Sequence, residues 1–165
     1  MSLISVLEAG RRDFLDATRD LSPQQAAERP RGGWSVLECI EHVVIAEQRY
    51  LDWLADGDPI APDRDSEKEL RLFSIMRSRL TKVETPDPLR PAGCFPSLDQ
   101  ALAAFNAVRD RSLQLVRDRG ESIYAVSASH PYFGAMNGAE WMQMADGHAR
   151  RHADQIREIC ESSLS

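Results

Sequence analysis

The stretch Asn137-Gly-Ala-Glu140-Trp141-Met-Gln-Met144-Ala145-Asp146-Gly-His148-Ala-Arg150-Arg-His152-Ala-Asp154-Gln155-Ile156-Arg157-Glu158-Ile159 reads as the start and body of one long helix. Asn137 and Glu140 form a capping box, in which each side chain takes a backbone amide of the other residue, and Met136 and Trp141 stand where a hydrophobic staple closes. Apolar residues then recur at helical spacing: Trp141, Met144 or Ala145, and later Ile156 and Ile159. His148 and His152, four residues apart, fall on that same inward stripe about one turn from each other. Asp146, Arg150, Asp154, Arg157 and Glu158 fall outside it and read as the outward faces.

The same helix-start grammar recurs upstream at Ser22-Pro-Gln-Gln25, Ser35-Val-Leu-Glu38, Ser66-Glu-Lys-Glu69 and Ser97-Leu-Asp-Gln100. Gly57 with Pro59, and Gly120 after the basic turn Arg117-Asp-Arg119, are the matching stops. Long helices are therefore expected at roughly 2–20, 36–56, 98–119 and 138–161, with shorter ones near 23–28 and 67–83. Apolar stripes run through Leu3, Leu7, Phe14 and Leu21 on the first, and through Leu98, Leu102, Phe105 and Val108 on the third. No long run alternates with period two, so no strand is expected. The fold class that follows is all-α, a four-helix bundle. About 40 residues separate the second and third long helices, and they carry Pro59, Pro62, Pro86, Pro88, Pro91 and Pro96. That connection is too long for a tight hairpin and allows a crossover, so those two helices can run parallel.

The chain has 165 residues, which suits a single domain, 1–165. Its 26 acidic residues outnumber its 20 basic ones, giving a net charge of −6. That balance argues against general nucleic-acid binding, which needs a basic field. No apolar run approaches a membrane span, and Met1 to Phe14 carry no apolar signal core. A soluble, cytoplasmic protein without a membrane partner is expected. Cys39, Cys94 and Cys160 are too few and too scattered for a disulfide framework; each reads as a reduced thiol used as a small hydrophobe.

Two imidazoles on an inward stripe must satisfy four ring nitrogens in a dry setting, which costs several kcal/mol if they go unpaired. Hydrogen-bonded core histidines meet that demand, and so does a bound cation. Zinc-like ions favour at least three protein ligands. His42, flanked on its own face by Cys39, Ile45 and Ala46, is the natural third. His130, before Pro131, reads as a loop residue.

Here the sequence resembles a known family. His130-Pro-Tyr-Phe-Gly134, Glu140-Trp141 and His148-Ala-Arg-Arg-His152-Ala-Asp-Gln155-Ile156 resemble the C-terminal signature of the DinB/YfiT-like superfamily. Trp34-Ser35-Val-Leu-Glu-Cys-Ile-Glu-His42 resembles its N-terminal signature. The resemblance spans essentially the whole chain. It implies an up-down-down-up four-helix bundle, often a homodimer, with His42, His148 and His152 binding one divalent transition metal. Members with known activities include transferases and isomerases that use low-molecular-weight thiols; many others are described only as metal-dependent hydrolases.

An enzyme with an open metal position, working by small-thiol-dependent transfer or by hydrolysis, is therefore expected. The alternative is a non-enzymatic metal-binding stress-response or interaction scaffold. Imidazole suits zinc, nickel, iron and copper alike, so the ion is not readable. Glu38, one turn before His42, is a candidate base, though it also fills a capping-box position. Glu47 falls about 140° around the helix from His42 and is not expected at the ion. Trp141 is a candidate pocket wall. Arg109 is a candidate for an anionic substrate or a carboxylate, or else a solvated surface residue. Gln155 or Asp154 is placed to hold a ligand imidazole. The absence of HExxH removes the usual helix-borne base of zinc proteases and leans the chemistry towards thiol transfer or an unusual hydrolase. The absence of E-x-x-H argues against a di-iron carboxylate bundle.

Overall fold

A computed structural model of the chain describes residues 1–58, 60–80 and 82–163. Among the described residues, six α-helices and one short hairpin follow in order: α1 Leu3–Ala17, α2 Pro23–Ala27, α3 Val36–Asp56, α4 Ser66–Arg77, α5 Leu98–Arg119, β1 Ser127–His130, β2 Gly134–Asn137 and α6 Gly138–Ser163. Short 3-10 turns cover Asp87–Leu89 and Gly120–Tyr124.

The caps explain where the helices begin. Ser22 and Ser35 each make the reciprocal bond with the residue three later, Gln25 and Glu38. Ser97 takes the amide of Gln100, and Asn137 and Glu140 bond each other's backbone amides at 2.9 and 3.0 Å. The box expected at Ser66 is not made. Asp65 caps α4 instead and takes the amides of Glu67 and Lys68, because its carboxylate is the better acceptor one residue earlier. Helix α3 stops at Gly57, whose φ of 63° suits a residue without Cβ. Pro59, the second stop signal expected there, lies outside the described residues.

Two of the expected elements differ in extent or kind. Helix α4 ends at Arg77 rather than near residue 83. Beyond it Leu80 is 97% and Val83 67% exposed, so no buried face supports further turns; Thr81 lies outside the described residues. The segment before α6 is a two-stranded antiparallel hairpin in which Ser127 pairs with Asn137 and His130 with Gly134. Four-residue strands are too short to leave an alternation signal. They close because Gly134 takes a φ of 70° at the turn.

Helix directions follow from paired contacts. Glu47 of α3 meets Arg109 and Ser112 of α5. Further along, Leu51, Leu54 and Ala55 share a groove with Leu115 and Arg119, so α3 and α5 run the same way. On α1, Phe14 meets Phe105, Arg11 meets Asp110 and Glu8 meets Arg117, so α1 opposes α5. Trp53 meets Trp141 while His42 meets His152, so α6 opposes α3. The proline-rich connection carries the chain back to start α5 beside the beginning of α3, and α4 lies along α6, with Lys68 on Glu140 and Arg77 near Asp154.

The core has two apolar parts. One gathers Tyr50, Leu113 and Trp141, the other Phe14, Ile40, Phe105 and Ile156. A layer of buried charge comes from the helix positions between them. Arg109, fully buried, donates to Asp146 Oδ1 at 3.0 Å, to Glu47 Oε2 at 3.0 Å and to the Leu7 carbonyl at 3.2 Å. Ser112 donates to Glu47 at 2.7 Å, and Arg150 to Asp146 Oδ2 at 2.8 Å. Asp146 is thus not on an outward face. Helices α1, α3 and α4 all pack on α6, so no side of it is fully free at that level. Gly10 makes this possible, because a Cβ there would lie 1.7 Å from Asp146 Oδ1.

Breaking a buried ion pair from one side leaves an uncompensated charge. Arg109→Ala is therefore expected to cost about 3–5 kcal/mol in urea unfolding. Gly10→Ala, which only crowds the pinned carboxylate, should cost ~1–3 kcal/mol. A loss for Arg109→Ala no larger than that of an ordinary surface substitution would contradict the charge layer.

Candidate metal centre

Helix α3 contributes His42 and the middle of α6 contributes His148 and His152; all three are buried, with 5–7% of each exposed. The Nε2 atom of His148 lies 3.0 Å from that of His42 and 3.1 Å from that of His152. One nitrogen from each ring falls within 4.8 Å of the others. Trp34 packs against the cluster, its ring centroid 5.0 Å from that of His42 and 6.4 Å from that of His152.

The outer partners decide the protonation. His42 Nδ1 is 2.7 Å from the Leu89 carbonyl, which can only accept, so that nitrogen carries the proton. His152 Nδ1 is 2.9 Å from Gln155 Oε1, which also accepts from Arg79 at 3.4 Å, so it carries a proton as well. In the neutral rings the Nε2 atoms of both histidines are then bare lone pairs. Both face His148 Nε2, which can hold one proton, and one proton cannot serve both. The cluster is therefore short of donors in its own interior, and a cation shared by three nitrogens supplies what is missing. A tetrahedral ion with nitrogens at ~2.0–2.1 Å holds them about 3.3 Å apart, close to the spacing present. The donor set fits a divalent transition metal.

Electrostatics favour the same state. Burial pushes the pKa of His148 and His152 well below the usual imidazole value, and the neighbouring rings and Arg151 push in the same direction. Burial also lowers His42, against the opposing effect of the Leu89 carbonyl. The rings are held neutral, the form in which they bind metal. Cys39, one turn before His42, offers no thiolate, because burial pushes its thiol up to about 12.

The other sequence candidates divide. Gln155 holds His152 directly, whereas Asp154 pairs with Arg157 at 2.9 Å. Glu38 is not at the cluster: its carboxylate takes the Ser35 amide and pairs with Arg29. Burial raises its pKa, but those partners outweigh burial and hold it below the carboxylate range. Arg109 is neither on the surface nor open to a substrate, since both neighbouring carboxylates, Glu47 and Asp146, already engage it. Trp141 is fully buried, donates to the Ala128 carbonyl at 3.1 Å and packs on Tyr50 and Trp53. It belongs to the core rather than to the rim of the histidines. His130 ends β1 and accepts the amides of Tyr132 and Phe133. None of the three cysteines is paired; Cys39 is buried, while Cys94 is exposed and so is not the packed hydrophobe expected.

Three contributors escaped the sequence reading. Trp34 stands in the sequence only as the first residue of the N-terminal signature, with no role of its own, and the Leu89 carbonyl leaves no trace in side-chain identity. Glu41, next to His42, takes the backbone amides of Ala92, Gly93 and Cys94 at 2.8, 2.9 and 3.1 Å. The wealth of prolines around Leu89 is the one signal that a fixed backbone lies there.

The sequence profile of the DinB superfamily matches residues 6–156. The chain belongs to the DinB superfamily. A relative in Bacillus subtilis (strain 168), the uncharacterized protein YuaE, is 23% identical over 159 residues, covering 96% of this chain and 97% of its own length. Among solved structures, YfiT from Bacillus subtilis superposes with a TM-score of 0.61 at 18% identity, covering 98% of this chain and 86% of YfiT. It is described as a probable metal-dependent hydrolase with an unusual four-helix bundle topology. TT2238, a four-helix bundle protein, superposes with a TM-score of 0.59 at 20% identity, over 94% of this chain and 96% of its own. At these identities both structures establish the shared fold. Among the described residues, no helix is long and apolar enough to cross a membrane.

The depressed histidines give a pH dependence. Unfolded, they titrate near 6.5; folded, they titrate lower. Below that value the unfolded chain holds more protons, so stability falls with falling pH. Metal-free protein is expected to lose stability from about pH 7 to pH 5, more steeply than a His148→Ala/His152→Ala variant in the same denaturant titration. Equal slopes would mean that the rings are not buried neutral.

Proposed function

We propose that this DinB-superfamily protein is a divalent-metal-dependent enzyme in which His42, His148 and His152 hold the ion and the reaction is transfer of, or to, a low-molecular-weight thiol. The observation that carries this reading is the commitment of every glutamate of α3. Glu38 is capped and paired with Arg29, Glu41 is filled by three amides, and Glu47 belongs to Arg109 and Ser112. A water nucleophile normally needs a general base beside it. A thiol needs none once its pKa is lowered, since its proton can pass to solvent and the thiolate is the nucleophile.

Bound by three imidazoles, a zinc, nickel or iron ion supplies a Lewis acid with a vacant position that lowers the pKa of whatever occupies it. The chain's own residues do the rest. The Leu89 carbonyl and Gln155 hold the outer protons of His42 and His152, which turns both Nε2 lone pairs inward. Trp34 covers one side of the rings and limits water there. The charges of Arg151 and Arg79 act on the cluster and favour an anionic sulfur over a neutral one. Hydrolysis is the second reading, favoured by the description of the structural neighbour YfiT.

Equilibrium dialysis should find one divalent ion per chain in the wild type and none in His148→Ala or His152→Ala. Cobalt-substituted protein titrated with small thiols should develop thiolate-to-metal absorption. Absence of that band with every thiol, together with ester or amide hydrolysis that disappears on chelation and returns with metal, would replace thiol transfer by hydrolysis. Metal binding with neither would leave a scaffold.

A further inference from the structure

Adjacent residues of α3 grip one segment of the crossover. His42 Nδ1 donates to the carbonyl of Leu89, and three residues later Glu41, itself buried, receives the amides of Ala92, Gly93 and Cys94. Between these two grips the backbone has little freedom. Leu89 and Arg90 donate to the carbonyls of Pro86 and Asp87, closing a 3-10 turn, with Pro88 inside it and Pro91 just after it, each with fixed φ. Gly93 supplies the φ of 78° that lets successive amides converge on one carboxylate. Most of the segment is otherwise exposed: Pro88, Arg90, Ala92, Gly93 and Cys94 all face solvent. Two side chains of α3 therefore grip it from beneath, while Phe95 packs on the core just after it, and of the two grips Glu41 is the one that is not itself a histidine of the cluster.

We infer that Glu41 is a positioning residue for the metal centre: by anchoring residues 92–94 it holds the Leu89 carbonyl against His42 and so fixes the tautomer and orientation in which His42 Nε2 faces the other two rings. This rests on the three-histidine reading of the site. The outer hydrogen bond of a ligand imidazole normally sets its tautomer and basicity, and losing it costs ~10–100-fold in metal affinity. Here that bond comes from a flexible class of element, a surface connection, which on its own would leave Leu89 free to turn away. The anchor turns the connection into a fixed part of the centre. Truncating Glu41 frees the strap to water at small cost to the bundle, since the released amides lie in an exposed loop.

The test uses Glu41→Ala in the full chain, with two readouts. In metal-free protein, long-range 15N–1H correlation of the imidazoles should show His42 protonated on Nδ1 in the wild type and a mixture of tautomers in the variant. In competition titrations with a chromophoric chelator, zinc affinity should fall about 10–100-fold while the far-ultraviolet circular dichroism stays that of the wild type. An unchanged His42 tautomer with unchanged affinity would overturn the inference and leave Glu41 as a simple loop anchor. If wild-type protein binds no zinc, the metal reading fails by itself, and the tautomer arm still decides whether Glu41 positions His42. Should Glu41→Ala fail to fold, Gly93→Ala decides by the same readouts. A Cβ there meets nothing within 4 Å, so only the strained φ disturbs the strap, and the same tautomer shift with a smaller loss of affinity is expected.

Discussion

Three imidazole nitrogens pressed together in a dry interior are the constraint on which the molecule is built. Two of the outer nitrogens are given a hydrogen-bond acceptor, the Leu89 carbonyl for His42 and Gln155 for His152. This leaves lone pairs facing one another at 3.0 and 3.1 Å around His148. Without a cation such a cluster is costly, because buried polar atoms without partners carry their full desolvation penalty. With a cation, the same arrangement becomes a preorganised ligand set. The depressed pKa values of the rings are the electrostatic side of the same fact: protons are kept off the nitrogens where a metal would sit.

Bringing rings from α3 and α6 to one point requires the two helices to hold a fixed register. The charge layer provides it. Glu47 on α3 and Asp146 on α6 both clasp Arg109 of α5, five residues after His42 and two before His148. A slip of either helix by one turn would pull a buried carboxylate away from the buried guanidinium of Arg109, which is far more costly than a slip between apolar faces. Two glycines let the neighbours close in. Gly10 of α1 admits the Asp146 carboxylate, and Gly147 admits the Phe73 carbonyl of α4, which would lie 2.7 Å from a Cβ. Helix α6 is thereby wrapped by α1, α3 and α4 just where its histidines begin.

The legible part of this design was written in short-range patterns. Capping boxes at Ser35 and Asn137 place the starts of the two ligand helices, and the four-residue spacing of His148 and His152 on an apolar stripe places their rings inward. The illegible part depends on what surrounds a helix. Asp146 reads as solvent-facing on a helical wheel because the wheel knows nothing of a third neighbour; Gly10 and Gly147, inside helical runs, were the available sign of close packing. Arg109 was open to several readings until its two carboxylates met it in space. Glu41 and the Leu89 carbonyl could not be found at all, since a backbone oxygen has no letter and the crossover's path is set by tertiary contacts. The short β1–β2 hairpin is hidden for a different reason: its four-residue strands are too brief to show a period.

Anomalous scattering from crystals of the purified protein, collected at the edges of zinc, nickel and iron, addresses the centre most directly. Three-imidazole binding predicts one peak about 2.0–2.2 Å from the Nε2 atoms of His42, His148 and His152, with a coordination position left to solvent. A peak closed off by a fourth protein ligand, a peak elsewhere, or rings hydrogen-bonded to one another with no ion between them would contradict it.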